Sequence, residues 1–290
     1  MMQLSVVVPC FNAAETLAQQ LNALTQQTLA PWEVIVADNG STDDSLSIAA
    51  QYVNRLPNLK IVDASDRRGA SHARNTGAQA ATGNALAFCD ADDVVSSTWV
   101  EALTEALSEH GFVASRFEFR LLNGPDAEGG FQEDGLQNFK PPVFPYAGGC
   151  GLAILKQLHE AVEGFDESVQ TLEDTDYCMR VQIAGTSLHF VPEAVVHVRF
   201  RQGANDAFWQ ALSWGESFTT IYTRYREHGV RCYGILPRLV AIMLSFMRCL
   251  ITRFEDGAVW RLGWHLGLLR GFVKLRLASL TTGQTASNTV

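Results

Sequence analysis

Three carboxylates, Asp90, Asp92 and Asp93, fall within one short stretch of this 290-residue chain. Like charges this close repel one another, and such a group persists where something positive balances it. Oxygen donors at this density suit a hard divalent cation, Mg²⁺ or Mn²⁺, which commonly completes its shell with substrate phosphates. Further acids stand elsewhere: Asp38 in the run Asp38-Asn39-Gly40-Ser41, and Glu173, Asp174 and Asp176 in Glu-Asp-Thr-Asp. Acids in a first helical turn are ordinary complements of the helix dipole, so the second group by itself is also plain helix chemistry. Arg67, Arg68 and Arg74 are the basic side chains near enough in sequence to meet phosphate charge. No GxxxxGK[ST] loop occurs, and Gly148-Gly149-Cys150-Gly151 does not extend to GxGxxG, which removes support from ATPase and dinucleotide readings.

The elements that must position these residues alternate. Residues 4–8 form an apolar run ending at Pro9, and the polar turn Cys10-Phe11-Asn12 leads into a helix with Leu17, Leu21 and Leu24 at helical spacing. A second strand over 32–37 ends at Asp38, and Ser41 or Thr42 can cap the helix that runs on to Val53. A third strand covers 59–62. Residues 70–81 are an alanine-rich helix carrying Arg74 and Asn75, stopped at Thr82-Gly83-Asn84. The apolar run 85–89 then fits a strand buried on both faces and delivers the three acids at its carboxyl end, where open α/β sheets bind ligands. Repeated strand–helix alternation predicts a mostly parallel sheet flanked by helices, an α/β fold. Beyond it the spacing predicts a helix over 96–110, one or two strands over 112–122, and a loop over 123–145 long enough to act as an acceptor lid. A turn at 164–167, a helix over 173–184, and strands over 188–191 and 194–201 follow, the last with His197, Arg199 and Arg201 on one face.

SVVVPCFNAAETL, VIVADNGSTDDS, ARNTGAQAATGNALAFCDADD, GGCG and EGFDE with LEDTDYCMRV, taken together, resemble a family 2 glycosyltransferase of the GT-A fold. The resemblance covers residues 3 to about 200 and leaves the last third of the chain outside it. It implies an inverting, metal-dependent transfer from a nucleotide-diphosphate sugar, UDP-linked, to a saccharide or lipid-linked hydroxyl in cell-envelope polysaccharide or glycolipid synthesis. It also implies roles for individual residues. Asp174 becomes the general base. Asp92 becomes the cation ligand, with Asp90 supporting the donor's ribose or the metal shell and, as some relatives place a histidine there, His197 as a further ligand. Asp38 reads the nucleobase, with Pro9, Phe11 and Asn12 bordering the same pocket, and Arg74 and Asn75 face the nucleotide. The family's usual Asp-Asp-Gly-Ser is Asp-Asn-Gly-Ser here, with Asn39 in second place. Two other readings remain open: a nucleotidyltransferase, and a non-catalytic nucleotide-binding partner at a membrane.

Composition divides the chain. Residues 1–198 hold 10 basic against 26 acidic side chains, a net −16, whereas residues 199–290 hold 12 against 5, a net +7. An acidic body disfavours nucleic acid, and a basic, apolar tail suits contact with anionic lipid. The expected division is a catalytic domain over 1–203, a helical region over 204–280 and a polar tail over 281–290. The apolar run near the N-terminus is too short for a signal peptide or a span, which places the expected location in the cytoplasm, at the inner face of the membrane. Six cysteines show no metal-ligand or disulfide spacing. In the tail, helices are expected over 205–227, 238–253 and 258–280, with peripheral membrane contact through 234–280. Gly263, Gly267 and Gly271 in the last of these form a small-residue stripe suited to close helix approach.

Overall fold

The computed structural model describes residues 2–56, 58–127, 131–138, 144–200, 203–231, 235–253 and 255–282. Arg201, parts of the expected 123–145 lid and most of the polar tail lie outside the described residues. The chain forms two compact units, one over residues 1–138 and 144–200 and the other over the residues after 200.

In the first unit the apolar runs fold as read: β1 (Leu4–Cys10), β2 (Glu33–Asp38), β3 (Lys60–Asp63) and β4 (Ala85–Phe88) alternate with α1 (Leu17–Thr25), α2 (Ser45–Ala50) and α3 (Ala70–Ala80). There follow β5 (Val94–Val95), α4 (Trp99–Glu109), β6 (Phe112–Glu118), the single turn α5 (Arg120–Asn123), β7 (Leu152–Leu155), α6 (Lys156–Ala161), α7 (Glu173–Ile183) and β8 (His189–His197). One sheet runs β3-β2-β1-β4-β7-β6-β8-β5. It is parallel from β3 to β4 and between β6 and β8, and antiparallel where β7 and β5 insert. Successive valines of β1 serve opposite layers: Val6 and Val8 join Leu17, Leu21, Trp99 and Leu103, while Val7 joins Ala78, Phe112 and Tyr177. Burial of both faces is why these strands read as unbroken apolar runs rather than as alternation.

Four local differences from the sequence expectation have physical causes. β6 stops at Glu118 because its carboxylate accepts hydrogen bonds from the N–H groups of Arg120 and Leu121, turning the chain into α5. The two strands expected over 188–201 are one, β8, bulged where its register against β6 jumps from Val191 to Val195. Pro192 sits in that bulge, where its missing N–H costs no ladder bond, and its carbonyl accepts from Arg116 Nε at 3.1 Å. β5 and β7 were not expected, since two and four residues are too few to show a period.

The second unit consists, among the described residues, of α8 (Ala204–Tyr225), α9 (Ile235–Ile251) and α10 (Asp256–Thr282), with a short 3₁₀ turn at Arg226–His228 after α8. α8 and α10 approach through the glycine stripe: Gly263 lies against the Phe208 carbonyl, Gly267 against that of Leu212 and Gly271 against Thr219, while Gly215 answers from α8 against Trp264. Aromatic pairs flank the seam, Phe218 with Trp264 and Tyr222 with Phe272, each at 5.7 Å between centroids. Glu216 pairs with Arg270 at 3.1 Å and with Lys274.

Candidate active site

The carboxyl ends of β2, β1 and β4 stand side by side, so residues far apart in sequence share one rim. Cys10 of β1 is in register with Asp38 of β2, and Cys89, just past β4, donates its N–H to Val7 of β1. One strand separates Asp38 from Asp90, about 10 Å at the usual strand spacing. Asp38 is buried and accepts from the N–H groups of Gly40 and Ser41, both at 3.2 Å. Pro9 lies in β1 opposite Ala37. Phe11 is half exposed, with the Arg68 guanidinium 4.4 Å over its ring. Asn12 takes a positive φ of 48°, where its side-chain oxygen accepts from Thr42 N–H at 2.8 Å. Backbone held in this sparsely populated region is commonest at turns and binding sites. Asn39 organises the neighbouring loop. Its amide donates to the carbonyls of Ala64 and Arg67 at 2.6 and 2.7 Å and accepts from Gly69 N–H. An aspartate at this position could not make the first two bonds.

Arg74 is buried, not open to the rim. Its guanidinium bridges Asp90 Oδ1 at 2.8 Å and Glu173 Oε1 at 2.9 Å, joining the acidic loop after β4 to the start of α7. Asn75 is likewise turned inward and pins the turn at 164–167, donating to the Phe165 carbonyl and to Glu167 and accepting from Phe165 N–H. The structure therefore brings Pro9, Phe11, Asn12, Asp38 and Asp90 to the rim, and places Arg74 and Asn75 beneath it as braces.

Of the acidic loop, Asp92 is exposed and Asp93 is buried. Asp93 accepts from Arg199 N–H at 2.9 Å, and the Arg199 side chain reaches the Asp92 carbonyl at 3.0 Å. Burial first, then the charges of Asp90 and Asp92, push the Asp93 carboxyl well above the usual range. Among the described residues, ligand atoms of Asp90, Asp93 and Cys150 lie within 4.8 Å of one another and could meet on one ion. The sequence groups Asp93 with Asp90 and Asp92 as a cation-suited cluster and, by the family resemblance, gives the ligand roles to Asp92, Asp90 and His197; Cys150 is not among them. The signal available was only that Cys150 lies in a glycine-flanked turn. His197 lies in β8 opposite Val94, beside the strand that leaves this loop, and its Nδ1 is 2.7 Å from Glu118 Oε2.

Asp174 is set apart from its acidic neighbours by what holds it. Glu173 is tied to Arg74, and Asp176 is fully buried with Arg180 at 2.8 Å, so both serve the fold. The Asp174 carboxylate instead accepts two backbone N–H bonds, from Gly149 at 3.0 Å and Thr175 at 2.7 Å. Burial, followed by the charge of Glu173, pushes its pKa up to about 6 against the opposing pull of Arg74 and the two N–H groups. A Cβ at Gly149 would stand 3.0 Å from the Arg74 guanidinium carbon, so a side chain there would push against the guanidinium that bridges Asp90 and Glu173. Leu172, just ahead, holds a left-handed φ of 62°, a costly conformation for leucine that fixes how α7 begins.

Residues 5–161, more than half of the chain, match the family described as glycosyl transferase family 2, and the chain belongs to it. It is 31% identical over 197 residues to glycosyltransferase AglE of Haloferax volcanii, covering 66% of this chain and 65% of that protein. It is 40% identical over 108 residues to the uncharacterized glycosyltransferase YibD of Escherichia coli, covering 37% of this chain and 31% of that one. The matches thus span less than two thirds of these relatives' own lengths. In fold the chain is similar to the mannosyltransferase PcManGT of Pyrobaculum calidifontis in complex with GDP-Man and Mn²⁺, with TM-score 0.61, 22% identity, and coverage of 97% and 79% of the two chains. It is also similar to residues 1–349 of S. aureus TarS in complex with UDP-GlcNAc, with TM-score 0.57, 17% identity, and coverage of 98% and 93%.

Proposed function

We propose that this protein is an inverting glycosyltransferase that moves a sugar from a nucleotide-diphosphate donor, UDP-linked, to a saccharide or lipid-linked hydroxyl in cell-envelope polysaccharide or glycolipid synthesis, working at the inner face of the membrane with contact through residues 234–280. The observation that carries the reading is Asp174: a carboxylate with pKa about 6, aimed by two backbone N–H groups and joined through Glu173 and Arg74 to the acidic loop. Asp174 takes the acceptor proton as the acceptor oxygen attacks the anomeric carbon, and the bond to the diphosphate oxygen breaks on the opposite face. Asp38, with Pro9, Phe11 and Asn12, receives the base, and Arg74 keeps donor side and base side in fixed relation. Asp90 and Asp93 bring carboxylate oxygens together beside Cys150, crowded enough to raise the Asp93 pKa, and with Asp92 in the same loop these oxygens would suit a Mg²⁺ or Mn²⁺ ion. Such an ion supplies a Lewis acid for the departing phosphate oxygens. The solved relatives that carry GDP-Man with Mn²⁺ and UDP-GlcNAc support a nucleotide-sugar donor.

The test is a thermal-shift panel of nucleotide sugars with and without Mn²⁺, followed by product analysis. A donor that raises the melting temperature more with Mn²⁺ than without, and release of the nucleoside diphosphate on adding acceptor, is the expected result. Release of pyrophosphate, or no response to any nucleotide sugar, overturns the reading.

A further inference from the structure

The second unit is built with one helix reversed. α9 turns small and polar residues inward: Ser245 and Cys249 are buried, Cys249 against Ala258 and Val259 of α10, and buried Arg238 lays its guanidinium 3.5 Å over the Phe272 ring. Residues of the kind that fill cores face out. Val240, Met243, Leu244, Met247, Leu250 and Ile251 are each half exposed or more, Ile251 to 78%. Their spacing places them on one continuous stripe. A contiguous apolar strip on the outside of a soluble unit marks a surface that meets another phase or molecule.

Charge decides which. Residues 237–253 contain no acid, and their exposed charges are Arg248 and Arg253. Lys274 and Arg276 of α10 are exposed as well, and residues 199–290 carry +7. A second copy would bring +7 against +7, whereas a bilayer with anionic headgroups offers apolar depth and opposite charge together. Among the described residues no helix is long and apolar enough to cross a membrane. A helix with an apolar stripe and arginine flanks lies in the plane of the interface.

We propose that α9 lies flat in the headgroup–acyl boundary of an anionic bilayer, with Met243, Leu244, Met247, Leu250 and Ile251 inserted and Arg248 and Arg253 on lipid phosphates. This deepens the membrane contact proposed above and rests on it, but not on the sugar-transfer chemistry. The test is co-sedimentation of the full chain with extruded vesicles of phosphatidylcholine alone or mixed with phosphatidylglycerol. The wild type sediments with the mixed vesicles and is released as salt is raised. A Met243→Glu/Met247→Glu variant loses binding to the mixed vesicles. Each of Arg248→Glu and Arg253→Glu weakens binding to the mixed vesicles by about fivefold or more, as expected for one cation at an anionic surface. Absence of sedimentation, equal binding to both vesicle types, or a dimer seen by light scattering that Met243→Glu/Met247→Glu dissolves would each overturn the proposal. The salt response of the wild type needs no variant to fold. Failure here leaves a donor-induced melting shift intact, while failure of the transferase reading removes that shift and leaves sedimentation unchanged.

Discussion

At the scale of single residues, the site turns on how differently four acids are held. Asp174→Asn keeps the shape and removes the proposed base, so transfer should fall by roughly 10²–10⁴-fold while donor binding, read by thermal shift, is retained. In the wild type the rate should drop as the pH falls below about 6, because protonated Asp174 cannot accept the acceptor proton. The same raised pKa means that folding at neutral pH works against an ionised, partly buried carboxyl, so Asp174→Asn should melt no lower than the wild type at pH 7. Arg74→Lys tests the brace. An ammonium cannot span Asp90 and Glu173 as the guanidinium does, and leaving one of these partly exposed acids without its partner should cost about 1–2 kcal/mol and lower donor affinity, checked by denaturant titration and by the melting shift. Sequence alone set Asp38 and Asp90 at strand ends and Asp174 in the first turn of a helix, and the structure has them at those positions. It did not reveal that Arg74 and Asn75 point inward, because the direction of a helical side chain depends on what α3 packs against. Nor did it give Asp93 its weight, which comes from Arg199, a residue distant in sequence.

At the scale of elements, the start of β2 is held by one buried carboxylate. Glu33 is 1% exposed and takes hydrogen bonds from Lys60 at 2.6 Å, Ser5 at 2.7 Å and Thr82, linking β1, β2, β3 and the end of α3. Burial alone would raise its pKa, but these partners outweigh it and hold the value at about 2. A depressed carboxyl contributes stability above its unfolded pKa and loses it as the pH falls through the folded one. The wild type should therefore lose stability between about pH 4.5 and 2, and Glu33→Gln, about 2 kcal/mol weaker at pH 7, should lose less over that range, as followed by acid titration of circular dichroism. In the second unit, Gly267→Val would drive a branched side chain into the Leu212 carbonyl, so α8 and α10 should part at a cost of about 2–3 kcal/mol, seen as an earlier loss of helix on heating. The glycine stripe was legible because its period matches the helix. β7 was not, because four apolar residues fit a strand or a helix equally well. The orientation of α9 was also hidden: its pattern shows a stripe, but not that the stripe faces away from α10.

At the scale of the whole molecule, the order of strands in space departs from their order in the chain. β5 leaves the acidic loop yet pairs with β8, the last strand among the described residues. Asp93 is partnered by the backbone of Arg199, 106 positions later. Such long-range closure is slow and comes late in folding. Until residue 199 has left the exit tunnel Asp93 lacks this hydrogen-bond donor, so a nascent chain has all of its parallel strands β1 to β4 synthesised long before the acidic loop gains its full set of contacts.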